Sequence, residues 1–125
     1  MIACVFESCT GYSVVWAELA RNDLEWAHGL SRRTWLPPDH GMLFAFDAPA
    51  PRALWMRDTL IPLDMIFVDA DGVVVHIEEA AKPLSLRLYG TNTPAQFVIE
   101  VGARWARTHG VEVGAVVSFA ETLCR

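Results

Sequence analysis

The stretch Leu54–Gly72, LWMRDTLIPLDMIFVDADG, decides the fold of this chain. Its segment Leu63–Val68 is apolar except for Asp64, and the upstream segment Met42–Phe46 is apolar on both faces, both of which we expect to be covered. Asp69–Gly72 follows as a strong turn signal, and Val73–Ile77 has the composition of a second strand. The stretch therefore predicts a β-hairpin that is entered through a cluster of polar residues.

Asp64 is the unusual residue of the hairpin. Alternation along a strand places Asp64 on the same face as Ile66 and Val68. Leu63, Met65 and Phe67 lie on the opposite face. A carboxylate among aliphatic side chains is costly unless hydrogen-bond donors or a cation satisfy it. We expect Asp64 to be buried and to accept hydrogen bonds from donors near residues 57–59.

Outward from the hairpin, strand and turn patterns alternate along the chain. The predicted strands are Tyr12–Leu19, Met42–Phe46, Gln96–Val101 and part of Val111–Phe119, and the predicted short helices are Leu24–His28 and Ala103–His109. The first helix is expected to face the sheet through Leu24, Ala27 and His28, and Asp47–Pro51 is expected to be a loop. The pattern predicts a mainly β fold, an antiparallel β-barrel or a jelly-roll-like sandwich with two short helices. We expect one β-rich domain over residues 12–119, with terminal segments 1–11 and 120–125.

Composition and charge restrict the class of protein. Of the 125 residues, 53% are apolar and 20% are charged, which is typical of a globular chain with a real core. The net charge is −5 and the arginines form no continuous basic stripe, so nucleic-acid binding is not expected. No apolar run is long enough to span a bilayer.

The termini bear on the compartment. No signal peptide is visible, which predicts a cytoplasmic protein as the sequence stands, although Met1–Cys4 resembles the end of a lipoprotein cleavage site and a truncated start would leave export open. The three cysteines are Cys4, Cys9 and Cys124, an odd number that makes no disulfide framework. They are expected to be free thiols, with a clip from Cys124 to Cys4 or Cys9 as the alternative.

The polar cluster at the hairpin entry is the main candidate site. Trp55, Met56, Asp58, Thr59 and Asp64 could line a ligand pocket; alternatively, the first two are core residues and the polar ones cap backbone groups before Pro62. The loop Ser85–Pro94, which contains Tyr89, is a plausible binding loop. Glu100 repeats the pattern of Asp64, as one acid within an apolar strand. We predict a ligand-binding site made of Trp55, Met56, Asp58, Thr59, Asp64, Tyr89 and Glu100.

Two chemical alternatives to simple binding are compatible with the sequence. A hydrolase could use two of Asp58, Asp64 and Glu100 as paired carboxylates, provided that they face each other across a cleft. His40 and Met42, with Met56, could supply soft ligands to copper, but no pair of histidines has metal-binding spacing.

No motif for a serine or cysteine nucleophile and no phosphate-binding loop is present. The preferred interpretation is a non-catalytic binding or accessory module without cofactor or metal. Its partner would be a small neutral or cationic molecule, or a segment of another protein.

A set of motifs in fixed order carries a family resemblance. The motifs are GL at Gly29, Arg33, GMLFAF from Gly41, WMRDT from Trp55, IPLD from Ile61, DADG from Asp69, Pro83, Tyr89, Glu100 and GVxxG from Gly110. In this combination the chain resembles the domain of unknown function 192 family over about residues 12–119. The resemblance implies a small β-barrel or jelly-roll-like sandwich with short helices, often behind an export signal, and it implies no established activity. The family usually has Asn where Asp58 stands, so the chain adds a negative charge there.

Overall fold

The computed structural model describes residues 1–9 and 11–121, and most of them lie in strands. The described elements are, in chain order, β1 (Ile2–Ser8), β2 (Gly11–Ala20), α1 (Asp23–His28), β3 (His40–Leu54), β4 (Leu63–Val68), β5 (Val74–Ala81), β6 (Tyr89–Gly102), α2 (Trp105–Thr108) and β7 (Val116–Glu121). The prediction of a mainly β fold with two short helices is confirmed.

All seven described strands belong to one sheet, in the order β5-β4-β6-β3-β2-β1-β7. Neighbouring strands are antiparallel except β2 and β3, which are parallel, so the sheet is mixed. Parallel neighbours cannot be joined by a tight hairpin and need a longer connection. Residues 21–39 make this connection and contain α1; we call them the crossover segment.

The two edge strands, β5 and β7, approach each other at one end. Val73 and Val116 form an isolated bridge, and the backbone N–H of Val117 donates to the carbonyl oxygen of Gly72 at 2.7 Å. A continuous ladder between β5 and β7 is absent from the described residues. The sheet therefore curls without closing into a barrel, and of the two predicted architectures the sandwich-like one fits.

The sheet buries apolar side chains on both faces. Leu43 packs in a cluster with Phe6, Ile66 and Trp105 that α2 covers, which we call the α2-side core. The flanking residues of Leu43 on β3 point the other way, into a second cluster that includes Leu30, Phe67 and Val98. We call this second cluster the crossover-side core. Alternation along β3, β4 and β6 thus distributes one sequence between two cores, as predicted.

The central hairpin of the prediction is confirmed as the antiparallel pair β4 and β5. Asp69 holds the turn, since its Oδ1 accepts hydrogen bonds from the backbone N–H groups of Asp71 and Val73, both at 2.9 Å. Gly72 has a φ of 84°, a conformation that suits glycine and ends the turn. The turn predicted at Asp69–Gly72 is therefore confirmed.

Three expectations differ from the structure. β1 falls within the predicted terminal segment 1–11, yet it lies inside the sheet between β2 and β7. The loop predicted at Asp47–Pro51 is wrong, because β3 continues through it and the β3–β6 register shifts there, so its prolines fall where the ladder is interrupted. The inner side chain of α1 is Trp26, whereas Leu24 is exposed.

Two expectations about the termini and the membrane have partial answers. Cys4 is buried in the α2-side core and Cys9 is exposed, whereas the alternative clip involves Cys124, which lies outside the described residues. In the described part of the chain, none of the helices has the length and apolar character that crossing a membrane requires.

Candidate functional site

A cleft of about 460 Å³ opens on the crossover side of the sheet. Its walls come from α1 and the residues that follow it, from β3, from the loop after β3, from the residue before β6 and from the end of β6. The lining residues are Trp26, Ala27, His28, Gly29, Leu30, Ser31, Phe44, Phe46, Pro51, Arg52, Ala53, Leu54, Trp55, Arg57, Thr59, Leu88 and Glu100. The sheet therefore supplies the floor, and the crossover segment supplies one wall.

Local interactions fix the wall that α1 contributes. Asn22 caps the helix by accepting a hydrogen bond from the backbone N–H of Glu25 at 3.0 Å. The indole N–H of Trp26 donates to the carbonyl oxygen of Ala20 at 3.0 Å, and its ring packs against Phe46 at a centroid distance of 5.0 Å. A helix of six residues is too short to be stable alone, and these contacts hold it on the sheet.

The crossover segment is also tied to the rest of the fold beyond α1. The backbone N–H of Arg32 donates to the carbonyl oxygen of Asp58 at 2.7 Å, which joins the crossover to the loop after β3. The guanidinium of Arg33 forms a bidentate ion pair with Glu18 of β2 and lowers the pKa of that carboxyl group. The residues after α1 are therefore attached both to the loop after β3 and to β2.

Glu100 lies at the floor of the cleft. It pairs with Met42 of β3 and Met65 of β4, so its side chain shares the crossover-side face. Only 5% of the residue is exposed, and within residues 1–9 and 11–121 no group donates a hydrogen bond to its carboxyl oxygens. Burial raises the pKa of Glu100 to about 8. No fully enclosed polar side-chain atom lacks a partner in the described residues, so these oxygens reach the open space of the cleft.

Gly29 keeps the space beside this carboxyl group open. A Cβ at position 29 would lie 3.2 Å from the ring of Phe44 and 3.7 Å from Oε1 of Glu100. The φ of Gly29 is 50°, which lets it end α1 where a side chain would be strained. The glycine that ends α1 thus also leaves room at the cleft floor.

Two arginines flank the cleft without neutralising Glu100. The guanidinium of Arg52 lies 4.0 Å from the centre of the Phe46 ring and donates to the carbonyl oxygens of Ala95, at 3.2 Å, and Ala48. The guanidinium of Arg57 lies 5.4 Å from the Trp55 ring. A cation close to Glu100 would lower the pKa of its carboxyl group, but the shift is upward and burial is its cause. Within residues 1–9 and 11–121, the acid therefore has no counter-charge.

The predicted site residues separate into two groups. Trp55, Thr59 and Glu100 line the cleft, with Trp55 at 45% exposure offering a large part of its ring. Met56 is fully buried in the crossover-side core and does not line the cleft. Asp58 is exposed in a turn at a φ of 55°, outside the lining residues.

Tyr89 and the two methionines considered as copper ligands, Met42 and Met56, are buried residues that support the fold. Tyr89 is buried at the start of β6, and its hydroxyl oxygen accepts a hydrogen bond from the backbone N–H of Lys82 at 3.2 Å. It therefore anchors the loop between β5 and β6, and residues 89–94 are strand, not loop. Met42 and Met56 both pack in the crossover-side core, away from solvent.

Asp64 is fully buried, as predicted, but its hydrogen-bond donors are not those expected. Oδ1 accepts from the backbone N–H groups of Ala80 at 2.8 Å and Arg104 at 3.0 Å, and Oδ2 accepts from that of Ala106 at 3.0 Å. The expectation of donors near residues 57–59 is wrong, because the side chain points into the α2-side core, where α2 begins. Asp64 is thus a buried structural hub.

The donors around Asp64 are groups that regular pairing leaves unsatisfied. Ala80 lies where the β4–β5 register shifts, with a φ of 49°, and Arg104 precedes α2 with a φ of 73° and makes no side-chain cap. A bulge residue and the first N–H groups of a helix both lack ladder partners. One carboxylate therefore satisfies a bulge and a helix start together.

The paired-carboxylate arrangement is not assembled in this structure. Asp64 pairs with Val101 and Glu100 with Met65 in the same ladder, so the two acids project from opposite faces of the sheet. Asp58 does not line the cleft, and Glu100 is the one acid among its described lining residues. The cleft can bind through one carboxyl group, aromatic rings and hydroxyl groups.

Several lining residues were not singled out from the sequence. Phe44 and Phe46 alternate on β3, and Trp26 lies four residues after the Asn22 cap, so a signal existed in the repeated aromatic residues on one face. Arg52 carried no sequence signal, because its position depends on the register shift in β3. The cleft is formed by distant segments, which local patterns do not bring together.

Comparisons with known proteins agree with the fold and are silent on chemistry. The model of the family DUF192, described as an uncharacterised ACR, matches residues 6–119. No curated protein matches the chain.

Two solved structures are similar to this chain over nearly its whole length. One is from Sinorhizobium meliloti 1021 and is provisionally assigned as a transcription regulator; it is 31% identical, with a TM-score of 0.91 over 95% of this chain and 94% of the other. The other is a protein of unknown function from Novosphingobium aromaticivorans DSM 12444, 34% identical, with a TM-score of 0.90 over 93% of this chain and 83% of the other.

Proposed function

Because this chain belongs to the DUF192 family, which is uncharacterised, we propose a function from the site itself: the protein is a binding domain whose ligand enters the cleft above Glu100. The observation that supports this proposal concerns Glu100. Its side chain is largely buried, its carboxyl oxygens reach the cleft, and they have no hydrogen-bond partner among the described residues. A buried polar group without a partner destabilises a fold, and a bound ligand could supply the partner.

The composition of the cleft favours binding over hydrolysis. Glycoside hydrolysis by acid and base needs two carboxyl groups on either side of the substrate, and the described lining contains one. The hydroxyl of Ser31 donates to the backbone carbonyl oxygen of His28 at 2.5 Å, not to its imidazole ring, so the pair is not arranged as nucleophile and base. A cleft of about 460 Å³ with aromatic walls and several polar side chains has the character of a small-molecule site.

DNA binding, which the provisional assignment of the Sinorhizobium protein raises, has less support in this chain. The net charge is −5, whereas DNA-binding domains carry a basic surface that contacts phosphates. The two described helices have six and four residues, too short for the recognition helix of a helix-turn-helix. A regulatory role through ligand binding would remain compatible with that assignment.

Thermal shift with a small set of neutral, anionic and cationic fragments tests the proposal. A ligand that binds the folded state raises Tm, and one present at 100 times its Kd stabilises by about 2.7 kcal/mol. Trp55→Ala should weaken the shift because the ring lines the cleft, and Trp35→Ala is the matched control, since Trp35 is exposed and outside the lining. The proposal fails if no fragment class shifts Tm, or if both variants respond like the wild type.

A further inference from the structure

We infer that the buried end of the ligand is a cation, a primary ammonium or guanidinium group, that pairs with Glu100 between the aromatic walls of the cleft. This inference rests on the proposed function and names the chemistry of the ligand. Glu100 is the one acid among the described residues that line the cleft. Only 5% of its surface is exposed.

The residues that the structure describes do not provide the counter-charge themselves. Arg52 is held by backbone carbonyl oxygens and by the ring of Phe46, and Arg57 lies over Trp55 with its Nε 3.9 Å from Asp58. The bonds that a carboxylate makes with a cationic donor are about twice as strong as those between neutral groups. A cationic head group therefore gains more at this position than a neutral one.

The walls of the cleft suit a cation as well. Aromatic rings attract a cation that lies within about 6 Å of the ring centre. Phe46 and Trp55 already show this behaviour, because each has a guanidinium over its ring, at 4.0 and 5.4 Å. With Trp26 and Phe44, four aromatic residues line the space that leads to Glu100.

Proton release should accompany the binding of a cation. Burial raises the pKa of Glu100 to about 8, so the free protein holds the acid protonated at neutral pH, and a cation binds the ionised form. Among the described lining residues, the other charged or titratable side chains are His28 of α1, Arg52 of β3 and Arg57 of the loop after β3, and neither β4 nor β6 contributes another one. The association constant should rise about tenfold from pH 6 to 7 and level off above pH 8.

The exposed Arg57 restricts the charge of the outer part of the ligand. Arg57 is mostly exposed, and a second cation beside it would be repelled. The ligand should therefore carry one buried cation and a neutral or anionic outer end. A free amine and the side chain of a lysine in a peptide share this chemistry, and the experiment includes both.

Isothermal titration calorimetry with probes of one size and different charge tests the inference. The probes are n-butylammonium, n-butanol and n-butyrate, with N-acetyl-lysinamide as the peptide-like amine, titrated at pH 6, 7, 8 and 9. We expect the wild type to prefer the two amines at least tenfold over n-butanol and n-butyrate. Buffers of different ionisation enthalpy should show nearly one proton released per amine bound at pH 7. Tighter binding of one amine identifies the source of the cation.

Glu100→Gln keeps the size and a hydrogen-bonding amide but cannot ionise. It should lose at least tenfold in amine affinity and all of the pH dependence. Glu7→Gln is the matched control, because Glu7 is an exposed acid of β1 outside the cleft, and it should bind like the wild type. If n-butanol or n-butyrate binds as tightly as the amines, the cation inference is overturned while the cleft remains a binding site. If neither these probes nor the fragment set binds, both proposals are overturned.

Discussion

Replacing Asp64 by alanine should destabilise the fold more than any other single carboxylate substitution in the described chain. The side chain is fully buried and accepts hydrogen bonds from the backbone N–H groups of Ala80, Arg104 and Ala106. Each buried donor left without an acceptor costs about 1–3 kcal/mol, and water entering the vacated space would recover part of the loss. We expect the free energy of unfolding to fall by about 3–5 kcal/mol.

Asp64→Asn separates hydrogen bonding from size. The amide oxygen can still accept from Ala80 and Arg104, but the amide nitrogen would face the N–H of Ala106, a donor opposite a donor. The expected loss is about 1–3 kcal/mol, between the alanine variant and the wild type. Asp69→Asn is the control, since both hydrogen bonds in that turn go to one oxygen, which asparagine retains, so its loss should stay within about 0.5 kcal/mol.

Urea unfolding followed by tryptophan fluorescence measures these differences, and thermal melts provide a second measure. For a chain of 125 residues, 1 kcal/mol corresponds to about 4 °C in Tm, so Asp64→Ala should melt about 12–20 °C below the wild type. An Asp64→Ala variant within about 1 kcal/mol of the wild type, or an Asp64→Asn variant as stable as Asp69→Asn, would refute the hub.

Other predictions test the cleft floor, the crossover and a close backbone contact. The pKa of Glu100 is raised to about 8 in the folded state, so its contribution to folding stability is full below the unfolded pKa near 4.5 and is lost as pH rises to 8. Urea titrations should show the wild type losing about 1.4 kcal/mol of unfolding free energy per pH unit in that window relative to Glu100→Gln. Arg33→Ala removes a partly exposed ion pair with Glu18 and should cost less than about 1 kcal/mol in urea unfolding, and still less in 1 M salt, and a larger loss would contradict solvent screening. Gly41→Ala places a Cβ 2.1 Å from the backbone oxygen of Glu100 and should lower the free energy of unfolding by about 3 kcal/mol or more. Gly102→Ala meets no atom within 4 Å and should melt within about 4 °C of the wild type, and equal melting curves for the two variants would contradict the close contact.

The sequence predicted the hairpin and the strand faces because their causes are local. Pro62 and the Asp69–Gly72 turn bound β4, and alternation along Leu63–Val68 assigns each side chain to a face. The same reasoning placed Glu100 on the face opposite Ile99 in β6, as the structure has it. Periodicity and turn chemistry act over a few residues, so they can be read from one sequence.

The rest of the site depends on contacts between distant segments. The three donors to Asp64 lie 16, 40 and 42 residues away, and they are free because of a register shift and a helix start that no local pattern marks. The position of β1 beside β7 likewise follows from pairing between the two ends of the chain. A strand of seven residues near the terminus could be recognised only once its partner was known.

The parallel pairing of β2 and β3 has a consequence for how the ligand preference of the proposed site can change. The strands fix the floor of the cleft, including Phe44 and Glu100, through ladders in which residues 21–38 take no part. The crossover segment contributes Trp26 and the residues around Gly29, and a few contacts attach it to the sheet. Substitutions among the exposed residues of this segment can therefore vary the wall while strand register and the floor stay constant. A combinatorial library restricted to the exposed lining residues Ala27 and His28 would leave Trp26 and the scaffold unchanged, so recognition at the proposed site and folding are separately evolvable in this domain.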